Sequence, residues 1–432
     1  MSEPRFRTLA EWLAWQESLH PTTMDFGLER LRLVYSRLFS EPPRHKVITV
    51  AGTNGKGSSV AMLEAVLRAA GYRVGAYTSP HLLRYNERIR LNGAEVDDAT
   101  LCGAFHRVDE ARGDISLTYF EFGTLAAFLI FREAALDVAV LEVGLGGRLD
   151  AVNVVDADVA LLTAIGLDHT EWLGPDRDSI GREKAGIFRP GRPAVCSDPQ
   201  PPTSVRAYAQ TEGVPLDLCG RDFGYRPDES GQSWSWWSRD TRLQDLPWPA
   251  LAGRHQLQNA AGVLMVLQRL GLPVAQAAIC RGLQEARIAG RFQVVPGEVE
   301  WILDVTHNPH GAVVLADCLA ERPCTGRTLA VMGMLADKDA AAVAKLLAPR
   351  VDAWFTAGLS GPRGRSGGQL AAALAAALEA VLGKAPLSVH ETVAEACIAA
   401  RAQAHAGDRI LVFGSFHTVA EALTSGVVGG GS

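Results

Sequence analysis

Cysteine is sparse and unpatterned. Seven residues, at 102, 196, 219, 280, 318, 324 and 397, form no C-x-x-C pair. An odd, scattered set argues against a disulfide framework or a cysteine zinc site, and points to reduced thiols in the cytoplasm. No stretch approaches the ~18 to 20 apolar residues of a membrane span, so no membrane partner is expected. The N-terminus, MSEPRFRTLAEWLAWQ, carries acids and arginines where a signal peptide needs an apolar core. No Lys/Arg block occurs, and 42 basic against 48 acidic residues leave a net charge of −6. That balance argues against nucleic acid as a partner. There is no short-period repeat of the solenoid kind. Nothing in the chain signals an oligomer, and a monomer is the default expectation.

What is present is a 432-residue chain, 47% hydrophobic and 21% charged, long enough for two or three domains. KVITVAG (46–52) is a β-branched run ending in glycine. Behind it, Val60, Leu63, Val66, Leu67 and Ala70 recur at helical spacing, and Gly71 stops the helix. YRVGAYTS (72–79), LDVAVLEVG (136–144), DVALLTAIG (158–166) and RPAVCS (192–197) are further strand-like runs. They are continuous rather than alternating, as in a parallel sheet covered on both faces. Residues 220–252 hold four of the nine tryptophans; an aromatic binding platform is conceivable there, but a packed antiparallel hairpin is expected. GRFQVVPGE (290–298) separates two periodic regions, and strand–helix alternation then restarts. The expected fold class is α/β: an N-terminal P-loop-type domain with a mainly parallel sheet (1–293), a smaller Rossmann-like α/β domain (294–424), and a frayed tail (425–432).

The chemistry begins at VAGTNGKGSS (50–59). A strand, a glycine turn and a helix start aim backbone N–H groups and the positive helix end at one point. Gly52, Gly55 and Gly57 let the backbone approach an anion, Lys56 adds a cation, and Ser58 or Ser59 offers oxygen to Mg2+. The spacing departs from G-x-x-x-x-G-K-[ST], because Val50 replaces the first glycine and the hydroxyl comes one place late. Further polar residues follow successive strands: Ser79, Glu142, then Asp168 and His169. Strand C-terminal ends of a parallel sheet share one edge, where ligands bind. Lys184 lies in a nearby helical stretch. A bare ammonium beside Mg2+ is repelled, by about 4 kcal/mol at 4 Å with an effective dielectric of 20. Two readings stay open: a lysine converted to a carbamate by CO2, or a surface partner of Glu183 or Asp178. In the second region Asp304, His307, Asn308 and His310 follow one strand, Lys338 another, and Ser415 and His417 a third. Lys338 is a candidate anion-binding group.

AGTNGKGSS, TSPHLLRYNERIR, LTYFEFGTLAAF, LEVGLGGRLDAVNVV, LDHTEWLG, SIGREKAGIFR, GRFQ, DVTHNPHG and GSFHTVAEAL resemble, in order, the motifs of the folylpolyglutamate synthases. The similarity is greatest to the bacterial bifunctional form that is also a dihydrofolate synthase, within the Mur ligase superfamily. It runs from about residue 10 to about residue 423, and G-T-N-G-K-G-[ST] is that superfamily's own phosphate loop. The resemblance implies an ATP-dependent amide ligase. Thr53, Asn54, Gly55, Lys56, Gly57 and Ser58 would hold the ATP phosphates, with Asn259, Arg291 and Asp304 as further ATP contacts. Ser58, Ser79, Glu142 and His169 would bind two Mg2+ ions, and Lys184 would be carbamoylated. The pterin substrate would sit against Asp25, Phe26 and Gly27, then Thr118, Tyr119, Phe120 and Glu121, then Asp150, Ala151 and Val152. Val152 stands where many relatives have threonine, so a hydroxyl contact is missing there.

The implied substrates are dihydropteroate, tetrahydrofolates and L-glutamate. ATP would convert the pterin carboxylate to an acyl phosphate, which the glutamate amine then attacks. Lys56 and the loop N–H groups would neutralise charge on the migrating phosphoryl. His307 is a candidate to orient or deprotonate the amine, and Lys338, Ser415 and His417 are candidates for the glutamate side. With the implied ATP contacts split between domains, closure is expected to assemble the site. A Mur-type cell-wall ligase and a nucleotide switch without catalysis are the alternatives. LTYFEFGTLAAF and the short N-terminal segment argue against the first, and an ADP-release assay dependent on glutamate separates the second.

Overall fold

In the computed structural model, which describes residues 3–20, 25, 27–229, 231–382 and 386–429, the chain divides into two units. The first comprises Met1–Ala250 and Gln256–Arg287, the second Leu251–His255 and Ile288–Ser432. Phe26 and residues 430–432 lie outside the described residues.

The first unit is built on β1 (Lys46–Ala51), β2 (Val74–Tyr77), β3 (Ile89–Leu91), β4 (Ala94–Glu95), β5 (Val138–Glu142), β6 (Val159–Leu162), β7 (Ala194–Cys196) and β8 (Leu216–Leu218). Their order is β4-β3-β2-β5-β1-β6-β7-β8. The six strands from β2 to β8 are parallel, and β3 and β4 add antiparallel pairs at one edge. Every residue of β5 is buried, which is why its sequence reads as an unbroken apolar run. The helix Lys56–Ala69 is buried from Gly57 through Leu67. It is a central helix with no solvent stripe, which explains its apolar character all round. Each fully buried aliphatic side chain such as Val50 or Leu63 adds roughly 1.5–3 kcal/mol.

The Trp-rich segment forms an antiparallel sheet of β9 (Phe223–Pro227), β10 (Ser233–Ser238) and β11 (Arg242–Pro247). Trp234 and Trp236 point inward, and their indole N–H groups donate to the carbonyls of Pro247 (2.8 Å) and Ala261 (3.1 Å). The expected packed hairpin is what forms, and these two rings are core rather than a binding platform.

The second unit holds β12 (Gln293–Val295), β13 (Glu300–Asp304), β14 (Thr328–Met332), β15 (Ala353–Ala357), β16 (Leu387–His390) and β17 (Arg409–Phe413), in the order β12-β13-β17-β14-β15-β16. All are parallel except β12, which runs against β13. That pairing moves the boundary expected after residue 293: Gln293 bonds into the second sheet opposite Leu303, so the division falls at Arg287/Ile288. Its core, including Ile302, Leu315, Val343, Trp354 and Phe413, comes from this unit.

Candidate active site

Register brings the predicted polar residues of the first unit to one edge. Val50 of β1 pairs with Glu142 of β5, Ala51 with Leu162 of β6, and Tyr77 of β2 with Leu141. The segments that follow these strands therefore leave the sheet side by side.

The loop between β1 and the helix Lys56–Ala69 is clamped by the segment after β6. The Thr53 N–H donates to the Ala164 carbonyl (2.8 Å), and the Thr53 hydroxyl to that of Gly166 (3.0 Å). The Thr163 hydroxyl, itself fully buried, donates to Asn54 O (2.9 Å). Two glycines are required by this packing. A Cβ on Gly52 would stand 1.8 Å from Thr163 Oγ1, and one on Gly55, whose φ is +92°, would stand 2.6 Å from Asn259 Oδ1. Gly55 caps the helix with no side chain, so the first-turn N–H groups from Gly55 to Ser58 have no carbonyl one turn earlier to bond. These are the N–H groups that the sequence reading offers to an anion, and Thr53 and Asn54 shape the loop through their backbone bonds to Ala164.

Two amines meet at this loop. Lys56 Nζ donates to the carbonyls of Gly52 (2.9 Å) and Thr53 (3.2 Å), and Lys184 Nζ donates to the same Gly52 carbonyl (3.1 Å). Lys184 is buried, so the surface-partner reading does not hold. Glu183 pairs instead with Arg148 (3.0 Å), and Asp178 accepts from Ser204 N (2.9 Å). Burial, reinforced by the Lys56 charge, pulls the Lys184 pKa down to about 7, with Asp168 and Asp150 opposing. Asp150 is also buried, and burial pushes its carboxyl up to about 6 while N–H groups of the surrounding loop and the Lys56 charge hold it back.

The residues implied for a divalent cation are mostly oxygen donors. Glu142 closes β5, and its carboxylate accepts from Ser79 N (3.3 Å). Ser58 is buried and accepts from Gln256 Nε2 (3.3 Å), while Ser59 turns into the interior, fully buried. His169 sits in the left-handed region (φ 51°) ahead of the short helix Thr170–Leu173, with its N–H on Asp168 Oδ1 (2.9 Å). Among the described residues no cluster of three or more His, Cys, Asp or Glu side chains forms a ready cage. The hard-oxygen set fits Mg2+, which takes one or two carboxylates and completes its shell with water and phosphate oxygens.

On the substrate side, Arg30 links Asp25 to Glu121, donating to both Glu121 oxygens (3.1 and 3.3 Å). Thr118 and Glu121 form a capping box at the start of the helix Tyr119–Glu133, worth about 1 kcal/mol. Gly27 lies just before the helix that carries Arg30. The Phe120 ring stacks on Tyr77 (5.9 Å) and lies over Gly144, tying this helix to the loop that leads to Asp150. Ala151 and Val152 are buried in the core, and the Val152 N–H is given to Asp150 Oδ1 (3.0 Å). The Val152 side chain and N–H are thus both engaged within the protein.

In the second unit Asp304 pairs with Phe413, and Met332 with Phe413, so three loops again leave one edge. Asp304 accepts from Phe292 N (2.7 Å) and Thr306 N (2.8 Å). The neighbouring Arg291 guanidinium lies 5.4 Å from the Phe416 ring centre. His307 Nδ1 stands 2.9 Å from the Val305 carbonyl, which accepts only, so Nδ1 carries a proton and donates it there. Ser415 caps the helix Phe416–Thr424 by accepting from Thr418 N (3.0 Å), and His417 is exposed on that helix. Lys338 is largely covered and lies 4.0 Å from Asp337.

Two residues at the first edge were not singled out from sequence. Thr163 braces the loop, and Gln256 joins Ser58 to Asn259 by accepting from Asn259 Nδ2 (3.0 Å). A threonine ending the apolar run ALLT and the i, i+3 spacing of Gln256 and Asn259 are the signals that mark them.

Residues 50–267 match the family described as Mur ligase middle domain, and residues 290–416 that described as Mur ligase, glutamate ligase domain. The chain is 48% identical over 415 residues to the dihydrofolate synthase/folylpolyglutamate synthase of Escherichia coli K12, covering 96% of this chain and 94% of that protein. The structure of E. coli FolC in complex with DHPP and ADP superposes with a TM-score of 0.92 at 46% identity, covering 98% of both chains. A bifunctional folylpolyglutamate synthase/dihydrofolate synthase with Mn, AMPPNP and L-glutamate bound gives 0.89 at 46% identity, covering 98% of this chain and 99% of that one.

Proposed function

The chain belongs to the dihydrofolate synthase/folylpolyglutamate synthase family of the Mur ligase superfamily, and from that premise we propose that it joins L-glutamate to dihydropteroate and to tetrahydrofolates, with ATP cleaved to ADP and phosphate. The observation that carries this reading is the juxtaposition of two loops at one sheet edge. One lysine, Lys56, belongs to the phosphate loop and also acts on Asp150, the residue implied on the pterin side. The pairing of β1 with β5 sets the phosphate loop beside the loop that leads to Asp150, so both substrates would meet at that edge.

A carboxylate resists amines because its charge repels them and its oxygen leaves badly. Transfer of the γ-phosphoryl to a carboxylate oxygen breaks the bond to ADP and forms an acyl phosphate. The α-amine of glutamate then attacks the carbonyl carbon, loses a proton, and expels phosphate together with that oxygen. The Gly55–Ser58 N–H groups and Lys56 neutralise charge during the first step. A divalent ion held by Ser58, Ser79 and Glu142, with His169 as a further ligand, supplies Lewis-acid stabilisation of the phosphates when bound. Asn259, Arg291 and Asp304 serve the rest of the nucleotide. His307, oriented by its Nδ1 bond to the Val305 carbonyl, takes the amine proton, while Lys338, Ser415 and His417 serve the glutamate carboxylates.

Lys184 completes the site as a carbamate. Its neutral amine adds to CO2 with loss of one proton, and the negative product sits beside Lys56. What supports this is the pair of amines on one carbonyl, which repel until one changes sign. The seven free cysteines are in keeping with a reducing, cytoplasmic setting.

The test is turnover by the purified full chain with ATP, Mg2+ and glutamate, offering dihydropteroate and tetrahydrofolate separately. Glutamylated product is expected from both. Product from one alone removes the double activity, and product from neither overturns the ligase reading. Carboxyl oxygen-18 in dihydropteroate should emerge in inorganic phosphate; unlabelled phosphate rules out the acyl phosphate.

A further inference from the structure

The opposite edge of the first sheet, where β1, β2 and β5 begin, holds a cleft of about 420 Å³. That volume lies in the range of small-ligand sites, roughly 300–1,000 Å³. None of its residues belongs to the site described above. Its walls are aromatic. Phe39 and Phe128 are buried and Tyr35 half-buried. Tyr35 packs against Phe39 with ring centres 4.6 Å apart, and edge-on against Phe128 at 6.1 Å. Three rings locked by one another make a formed apolar wall, of which Tyr35 is the most exposed.

Its mouth is cationic. Arg44, Arg73 and Arg132 line it, against one acid, Glu41. Arg132 lies over the Phe39 ring (5.5 Å) and gives one N–H to the Glu41 carbonyl (3.2 Å), which leaves most of its five donors for other partners. Arg44, with its side chain 87% exposed, pairs with the Glu41 carboxylate (3.0 Å). A pair that open to water contributes little, so an incoming anion replaces it at little loss. Arg73 is held by Asp137 (3.0 Å) and keeps its place at the rim. Arg132 stands in the last turn of the helix Tyr119–Glu133, where a cation answers the helix dipole. Arg44 and Arg73 precede strands, so that explanation does not cover them.

We propose that this cleft binds a small planar aromatic anion, its ring against Tyr35, Phe39 and Phe128 and its carboxylate or phosphate on Arg132 and Arg44. Guanidinium forks match both acid groups. The shared chemistry admits two sources, a folate-type compound with a glutamyl tail or a nucleotide. The proposal does not rest on the ligase reading, since it concerns occupancy and not turnover.

Calorimetric titration of the full chain with pteroyltri-γ-glutamate, and separately with ADP, decides it. With one of the two probes a second equivalent is expected beyond that taken at the loop edge, and the probe that shows it names the source. Arg132→Glu and Arg44→Glu should each weaken the second equivalent at least tenfold and leave kcat/KM within twofold. One equivalent or none of both probes overturns the proposal. So does a second equivalent that neither variant weakens, or one whose loss in both variants abolishes turnover as well. Absent turnover in the wild-type chain would count against the ligase reading alone.

Discussion

Lys184 shows how little a side chain's identity says about its charge. In the sequence it stands between Glu183 and a helix end, and a surface ion pair is as natural as a buried amine. Burial and Lys56 bring its pKa to about 7, and only the neutral form adds CO2. Below that value the ammonium predominates, and the proposed carbamate would lose its precursor. In CO2-depleted buffer, wild-type turnover should fall at least tenfold and recover with bicarbonate, with weaker recovery at pH 6 than at pH 8. Lys184→Ala should lose about 100-fold and show no response to bicarbonate. An unchanged rate on depletion would leave Lys184 as a plain amine. Val152 is the converse case. Its place in a recognisable motif names it for the substrate, while its side chain is fully buried in the core.

The strand–loop–helix element is the part most legible beforehand. A β-branched run, three glycines and a lysine at a helix start have few structural solutions. What the run of letters could not show is the brace. Thr163 and Asn259 lie over 100 and 200 residues downstream, and they reach Gly52 and Gly55 through the parallel pairing of β1 with β6 and the packing of the helix His255–Leu270. Gly52→Ala puts a methyl 1.8 Å from Thr163 Oγ1, so the loop must shift. ATP-dependent turnover should drop at least 100-fold with about 1–3 kcal/mol of stability lost. Adding Thr163→Ala removes the hydroxyl and should restore part of both, measured by ADP release and urea denaturation. A Gly52→Ala enzyme of normal rate would show that the brace does not hold the loop.

At the scale of the whole molecule, the second unit carries its own sheet and core. A fragment of residues 288–429 should fold alone, with one cooperative urea transition of roughly 1–3 kcal/mol per molar and no ATP turnover. A fragment without such a transition would mean that Leu251–His255 is needed. There Gly253 stands close to Cys318, and Arg254 pairs with Glu321 (3.0 Å). The sequence by itself determined the α/β class, the strand–glycine loop–helix element and the family, because hydrophobic period, glycine placement and motif order are local properties of the chain. Only the tertiary structure decided that Lys184 is buried beside Lys56, that Val152 is core, that β12 belongs to the second sheet, and that an arginine-rimmed aromatic cleft opens at the far edge of the first. Those facts depend on register and burial between residues distant in sequence, where desolvation and close packing, rather than residue type, set what each group can do.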